Sequence, residues 1–451
     1  MDSQVGLIAD YAHNLRFADL PAPVVHQCKR CVVDTFGVAL GAYDAEPSRV
    51  ARKMAQRSSV TQGARIIGTA HRTLPELAAF ANGVMARYLD GNDAYPGGGG
   101  HPSDVIAAVL AAADIKGANG QTIITAITLA YEVFYNLWVA THLRHKGMDN
   151  VFYAAVGGAV GAAKVLGLER AQIGEAVSLA IVPNISLDAT RYGHLSMWKG
   201  CAAGNAARNG VFAALLAAEG ITGPEKAIEG DHGLEKLSGK LTLSQFAGDG
   251  RPFRIGESTL KCFLSEGHSL SPITAALELS RQLAVADIEK VTVYTYWFAW
   301  DVIGREPEKW RPTTREAADH SLPYIIAAVL IDRAFSDEVF SDERLRDPRI
   351  RQLIDKIEVK EDKELTRRFP RFLPCRIEVM TRRGERKVAA TDYPRGHCKN
   401  PMSDDEVNAK FRDLARRALP DERVSRALDA LWQLDAAPDL DAIFKEVETE
   451  K

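Results

Sequence analysis

Five alanine-rich apolar runs constrain this chain more than any other feature. They are Val105 to Ile115, Thr122 to Trp138, Phe152 to Leu166, Ile173 to Ile181 and Ala202 to Ala218. Alanine and leucine lose little side-chain freedom in a helix, so each run is expected to be helical. Each is apolar around most of its circumference, which suits a helix buried inside a bundle. Small side chains also let neighbouring helices approach closely. Helix stops such as Gly117-Ala-Asn-Gly120, Gly167 and Gly220 stand between the runs. The first 266 residues or so therefore read as almost wholly helical.

The pattern changes after Gly267. Ser271 to Ala284 still reads as a helix, but Asp287 to Trp297 alternates, with Val291, Val293 and Thr295 on one face of a strand. Cys375 to Thr391 reads as a hairpin that turns at Arg383-Gly384, with Ile377, Val379 and Val388 carrying the alternation. Leu322 to Ala334, Asp404 to Leu419 and Val424 to Leu434 read as helices. The expected fold is mostly α: a helical bundle over 1–266, an inserted α+β lid over 267–402 and a return to the bundle over 403–451.

Charge narrows the function. Lys and Arg total 56 against 59 Asp and Glu, a formal charge of -3. Such a balance argues against a chain built to coat nucleic acid or an anionic membrane, and leaves room for a small basic pocket. No run approaches the roughly 18 uninterrupted apolar residues of a membrane span. The N-terminus lacks the basic and apolar segments of a secretory signal. With those readings, 6 cysteines point to reduced thiols and a cytoplasmic location. Cys28-Lys-Arg-Cys31 has a two-ligand spacing, yet it falls in an expected helix and no second pair follows. No metal and no cofactor is expected. A phosphate loop, a dinucleotide-binding glycine fingerprint and a nucleophile elbow are all missing from the sequence.

Four segments carry candidate chemistry. In Leu89 to Asp104, two acids, Asp90 and Asp93, precede the glycine run Gly97 to Gly100 and His101, and a helix capped by Ser103 or Asp104 follows. Either acid could orient His101 or shuttle its proton; the segment also reads as a surface loop with two solvated acids. In Arg191 to Gly204, Arg191, His194 and Lys199 lead into an alanine-rich helix and face either an anion or solvent. Lys261 and His268 lie at the first domain junction, where small-molecule clefts form; the segment reads equally as a polar connector. Arg395, His397 and Lys399 lie in a basic loop at the second junction, which could reach a cleft between the domains but reads first as a solvated turn.

Together these segments resemble the MmgE/PrpD family. The likeness runs from Arg30-Cys-Val-Val-Asp-Thr-Phe-Gly-Val-Ala-Leu-Gly41 to Asn400-Pro-Met-Ser403. It includes Asn82 to Asp90, Gly-His-Pro-Ser-Asp104, Trp198 to Ala207, Leu260 to Phe263, Asp287 to Val293 and Lys309 to Tyr324. The resemblance implies a cofactor-free enzyme, commonly a homodimer, with its site in the cleft between bundle and lid. It carries the family's site residues onto Asp90, Asp93, His101, Lys199 and Lys261. Ala94 stands where several members have threonine, and glycines fill a loop that is bulkier in others; both departures bear on the substrate.

The activity that the resemblance implies is dehydration of 2-methylcitrate or a citrate-like hydroxy acid. Decarboxylation, isomerisation or epimerisation of a related polycarboxylate is the alternative, and a silent carboxylate-binding member is a third reading. Proton removal beside a carboxylate builds charge that fixed cations must stabilise. Lys199, Lys261 and Arg191 are the candidates, with His194, His268 and Arg395 as further substrate contacts. His101 is the expected acid or base.

Overall fold

The computed structural model describes residues 1–97, 100–141, 143–243, 246–248 and 250–449. Helices dominate its first half: α1 (Ser3–Asn14), α2 (Ala22–Gly41), α3 (Glu46–Ala55), α4 (Pro75–Tyr88), α5 (Ile106–Lys116), α6 (Gly120–Thr141), α7 (Val151–Leu166), α8 (Arg170–Ile181) and α9 (Trp198–Ala218). The five alanine-rich runs form α5 to α9. By length and composition α6 could cross a membrane, but 83% of its most apolar stretch is buried inside the fold. A short antiparallel pair, β1 (Ala64–Arg65) and β2 (Arg72–Thr73), sits among the helices.

Glycine sets how closely these helices pack. A Cβ on Gly83 of α4 would lie 2.7 Å from the Gly204 Cα of α9. One on Gly210 would lie 2.7 Å from the Ala155 carbonyl oxygen of α7. Helix α9 therefore rests backbone to backbone on both α4 and α7. That contact brings the C-terminal end of α4 beside the start of α9.

Residues 219–266 depart from the helical expectation. Among those described, α10 (Glu235–Ser238) is their one α-helix, followed by a 3-10 turn at Arg254–Glu257. Gly220, Gly223, Pro224, Gly230, Gly233, Gly239 and Pro252 interrupt every run there, and no periodic stretch survives between them.

The next part holds α11 (Leu270–Ser280), β3 (Ile288–Thr295), α12 (Trp297–Ile303), α13 (Arg315–Ala318), α14 (Leu322–Asp332), α15 (Asp342–Leu345), α16 (Pro348–Ile354), β4 (Ile357–Glu361), α17 (Lys363–Arg368), β5 (Cys375–Thr381) and β6 (Arg386–Thr391). Its sheet runs β4-β3-β5-β6. β3 and β4 are parallel, so a long helical crossover joins them, while β3–β5 and β5–β6 are antiparallel. The hairpin turns at Arg383-Gly384 as expected, but its last strand faces the other way. Ala389 pairs with buried Ile377 and is itself buried, whereas Val388 is 43% exposed. A one-residue change of register exchanges the faces of a strand.

The chain then returns to the first body through α18 (Asp404–Ala415), α19 (Asp421–Trp432) and α20 (Asp441–Glu446). Ser403 and Glu406 form a capping box that starts α18. Gly37 and Gly41 let α18 lie close on α2, where added Cβ atoms would meet Phe411 and Leu414. One apolar core draws on residues from Val5 to Leu260 and again from Met402 to Val447. A second draws on Ile273 to Ala389.

Candidate active site

The chain leaves α4 in a left-handed turn at Asp90, where φ is +53°. Aspartate tolerates this backbone better than most residues. The turn drives the Asp90 carboxylate into the interior, where three fixed cations meet it. Lys261 Nζ lies 2.6 Å from Oδ1, Arg87 Nη1 2.8 Å from Oδ1 and Lys199 Nζ 2.9 Å from Oδ2. Burial alone would raise the Asp90 pKa, but Arg87, Lys199 and Lys261 outweigh it and hold the carboxyl well below its ordinary range. The two lysines do not wait as free clamps for a substrate. Lys261 spends its three N–H groups on Asp90 Oδ1, the Asp90 carbonyl at 2.9 Å and the Ser265 carbonyl at 3.1 Å. Lys199 is shared between Asp90 and Asp319, whose Oδ2 lies at 2.6 Å.

His101 stands beside this cluster, with Nε2 3.6 Å from Asp90 Oδ1. Its Nδ1 lies 2.7 Å from the Asp93 carbonyl oxygen, which fixes a proton on Nδ1 and leaves Nε2 bare in the neutral ring. Burial, then Arg87 and Lys261, keep the imidazole pKa well below its usual value. Asp93 orients His101 through its backbone and not, as its position suggests, through its carboxylate. That carboxylate accepts the Ser103 N–H at 2.9 Å and the Tyr131 hydroxyl at 2.9 Å. Asp93 thus supplies the cap expected from Ser103 or Asp104. Those two side chains instead accept from Asn92 Nδ2. Gly97 and Gly100 adopt positive φ; Gly98 and Gly99 lie outside the described residues.

From the other body come Asp319 and His320, between α13 and α14. Asp319 Oδ1 lies 2.5 Å from His320 Nδ1. Burial and then Lys199 push the His320 pKa down to about 4. Glu266, buried at the junction, has its pKa raised first by burial and then by Asp90. His268 lies beside it, with Nδ1 2.5 Å from the Tyr296 hydroxyl; burial lowers its pKa to about 3.

These groups enclose a cavity of about 70 Å³, with Arg87, Asp90, His101, Arg191, His268 and His320 in its wall. At 10–15 Å³ per water position, that is room for about five to seven water-sized groups. The polar wall is nearly balanced in charge. Arg191 pairs with Asp149 at 3.0 Å and Arg144 with Asp188 at 3.3 Å. Asp104, 3.9 Å from Arg87, has its pKa raised by burial to about 7.

Two expected contacts fall elsewhere. His194 is exposed and outside the cavity wall. Arg395 pairs with Glu406 at the start of α18 and also reaches Asn400; its 41% exposure marks a surface ion pair. His397 and Lys399 line a separate groove with Trp138 and Pro370. Cys28 and Cys31 are buried on α2, and burial raises both thiol pKa values. Reading the residues missed Arg87, Glu266, Asp319 and His320. Arg87 reads as an ordinary last-turn cation of a helix. The Asp319-His320 pair was visible within Lys309 to Tyr324, but only the fold brings it opposite His101.

A histidine- and carboxylate-lined cavity between a helical body and an α+β body is the kind of place where proteins bind small polar molecules. The chain belongs to the MmgE/PrpD family: residues 6–242 match the MmgE/PrpD N-terminal domain and 263–434 its C-terminal domain. It is 28% identical to the 2-methylcitrate dehydratase of Escherichia coli K12, over 95% of this chain and 93% of that protein. It is 29% identical to the 2-methylcitrate dehydratase-like protein oryR of Aspergillus oryzae, over 96% and 92%. It is 27% identical to the alkylcitrate dehydratase phiI of a fungal species, over 95% and 91%.

Proposed function

We propose that this chain is a hydro-lyase that dehydrates a citrate-like hydroxy polycarboxylate, such as 2-methylcitrate or a larger alkylcitrate, to the aconitate-type alkene. The observation that carries the reading is His101, a partly buried imidazole in the cavity wall, held at Nδ1 by the Asp93 carbonyl with Nε2 left beside the Asp90 cluster. Such a group can take a proton from carbon next to a carboxylate, a role worth roughly 10²- to 10⁴-fold in rate. The dehydratase names of three long relatives support the same reaction. Arg87, Lys199 and Lys261 set the field in which charge develops on the substrate. The chain's own groups supply the proton transfer, and the proposal invokes no cofactor. As the working unit we propose a homodimer, because the connection from α8 and the start of α9 leave Ile185, Leu187 and Trp198 exposed.

The test is incubation with a panel of hydroxy and unsaturated polycarboxylates, read by ultraviolet absorbance and product mass. Loss of water with rising absorbance is expected. Carbon dioxide release, or a change of configuration without change of mass, would replace the reading by decarboxylation or epimerisation. Binding without turnover of any acid would indicate a silent member.

A further inference from the structure

Dehydration moves two protons, one from carbon and one to the departing oxygen, and His101 accounts for only one of them. Among the described residues, His320 is the imidazole of the cavity wall with the shortest contact to a carboxylate. A continuous charged chain links the two rings. His101 Nε2 is 3.6 Å from Asp90 Oδ1, Asp90 Oδ2 is 2.9 Å from Lys199, and Lys199 is 2.6 Å from Asp319 Oδ2. Asp319 Oδ1 then lies 2.5 Å from His320 Nδ1. The rings come from different bodies and line the same cavity, within reach of one bound acid. His268 is a weaker candidate, since its Nδ1 meets a neutral hydroxyl and its Nε2 reaches a carboxylate, Glu266, only at 3.8 Å.

We propose that His320 is a second catalytic residue, the acid that protonates the leaving oxygen, and that Asp319 is its positioning residue. The proposal rests on the dehydratase reading and assigns His101 as the base. The assignment follows from what touches each ring. The Nδ1 of His320 meets a carboxylate, and a charge-assisted hydrogen bond favours the imidazolium. The Nδ1 of His101 meets a neutral carbonyl, and Arg87 and Lys261 repel a proton on that ring. Lys199 also disfavours a proton on His320, yet of the two rings His320 is the more readily protonated once a polyanionic acid fills the cavity. In the step, neutral His101 takes the proton from carbon and the C–H pair becomes the C=C bond. The C–O bond breaks with its pair on oxygen, which takes the proton of His320 and leaves as water. The proton gained by His101 and the one lost from His320 equalise through solvent.

The test uses the full chain with 2-methylcitrate and with its analogue bearing fluorine in place of the leaving hydroxyl. Fluoride departs without a proton and bypasses the acid. His320→Asn should lower kcat on the hydroxy acid by at least about 100-fold and retain elimination of fluoride. His101→Asn should lose both. Equal losses of the two reactions in His320→Asn, or no loss in either, would overturn the proposal. Should that variant fold poorly, nitrogen-15 NMR of the wild type with a bound tricarboxylate product analogue decides instead. An imidazolium at His320 beside neutral His101 is expected, and the reverse assignment refutes it. If the wild type turns over neither compound, the dehydratase reading itself fails, an outcome distinct from failure of His320.

Discussion

At the scale of single residues, the site is organised around one buried carboxylate with three cationic neighbours. Removing a neighbour is therefore a stability event as well as a catalytic one. Breaking a buried pair costs about 3–5 kcal/mol where the remaining charge is left alone. Asp90 keeps Arg87 and Lys199 when Lys261 is lost, so Lys261→Met should cost about 3 kcal/mol, measured by denaturant melting. His101→Asn should differ, losing turnover while keeping the melting point and most affinity for a product analogue. Near wild-type kcat in that variant would refute the base assignment. The carboxylates of Asp90 and Asp319 and the His320 ring form a group that could hold a metal, but Lys199 already lies 2.9 and 2.6 Å from the two acids. Turnover should survive exhaustive chelation; loss restored by a divalent ion would contradict this. His268 gives a pH signature. Its folded pKa is about 3, against about 6.5 in the unfolded chain. Protons bind the unfolded state first, so the stability that wild type holds over His268→Gln is full above about pH 7.5 and shrinks below about 6.5. The slope reaches about 1.4 kcal/mol per pH unit toward pH 3; a difference independent of pH would mean an exposed ring.

At the scale of elements, catalytic geometry depends on a glycine contact remote from any charge. The crossing of α4 and α9 at Gly83 and Gly204 places Asp90 against Lys199. A methyl group on Gly204 would lie 2.5 Å from the Phe80 carbonyl oxygen. Gly204→Ala should cost about 1–3 kcal/mol by overpacking and lower kcat together with the melting point. An unchanged melting point would mean that the helices separate without strain. The alanine runs announce these helices plainly, because propensity and apolar content act within one turn of chain. The short strand β4 and the face of β6 were not legible, since each depends on a partner strand. The irregular stretch at 219–266 was legible in its glycines and prolines, which the helical expectation overlooked.

At the scale of the whole molecule, the cavity draws its wall from both bodies, which also touch through Lys199–Asp319, Gly193–Glu306 and Arg417–Asp337. Entry of a substrate by parting these contacts, as in enzymes that close over their ligands, gives a measurable expectation. Binding of a product analogue should slow amide exchange near Ser265 to Ser269 and Asp319 to His320. Unchanged exchange at saturation would indicate a rigid site with a permanent entrance.

Local order was written in the sequence itself: helical character, the change of pattern after Gly267, the turn at Arg383-Gly384, and a histidine between a glycine run and a helix start. Such features need only neighbouring residues. Which charges meet was decided by tertiary structure. Asp93 and Asp90 look alike in sequence, yet one caps a helix start and the other anchors three cations. His194 and Arg395 look as suited to an anion as Lys199, yet they remain at the surface. Asp319 and His320 stand more than 200 positions from Asp90 and His101, and only packing of the second body on the first sets them across one cavity. Electrostatic energy depends on distance in space and on burial, and neither is a property of position along a chain.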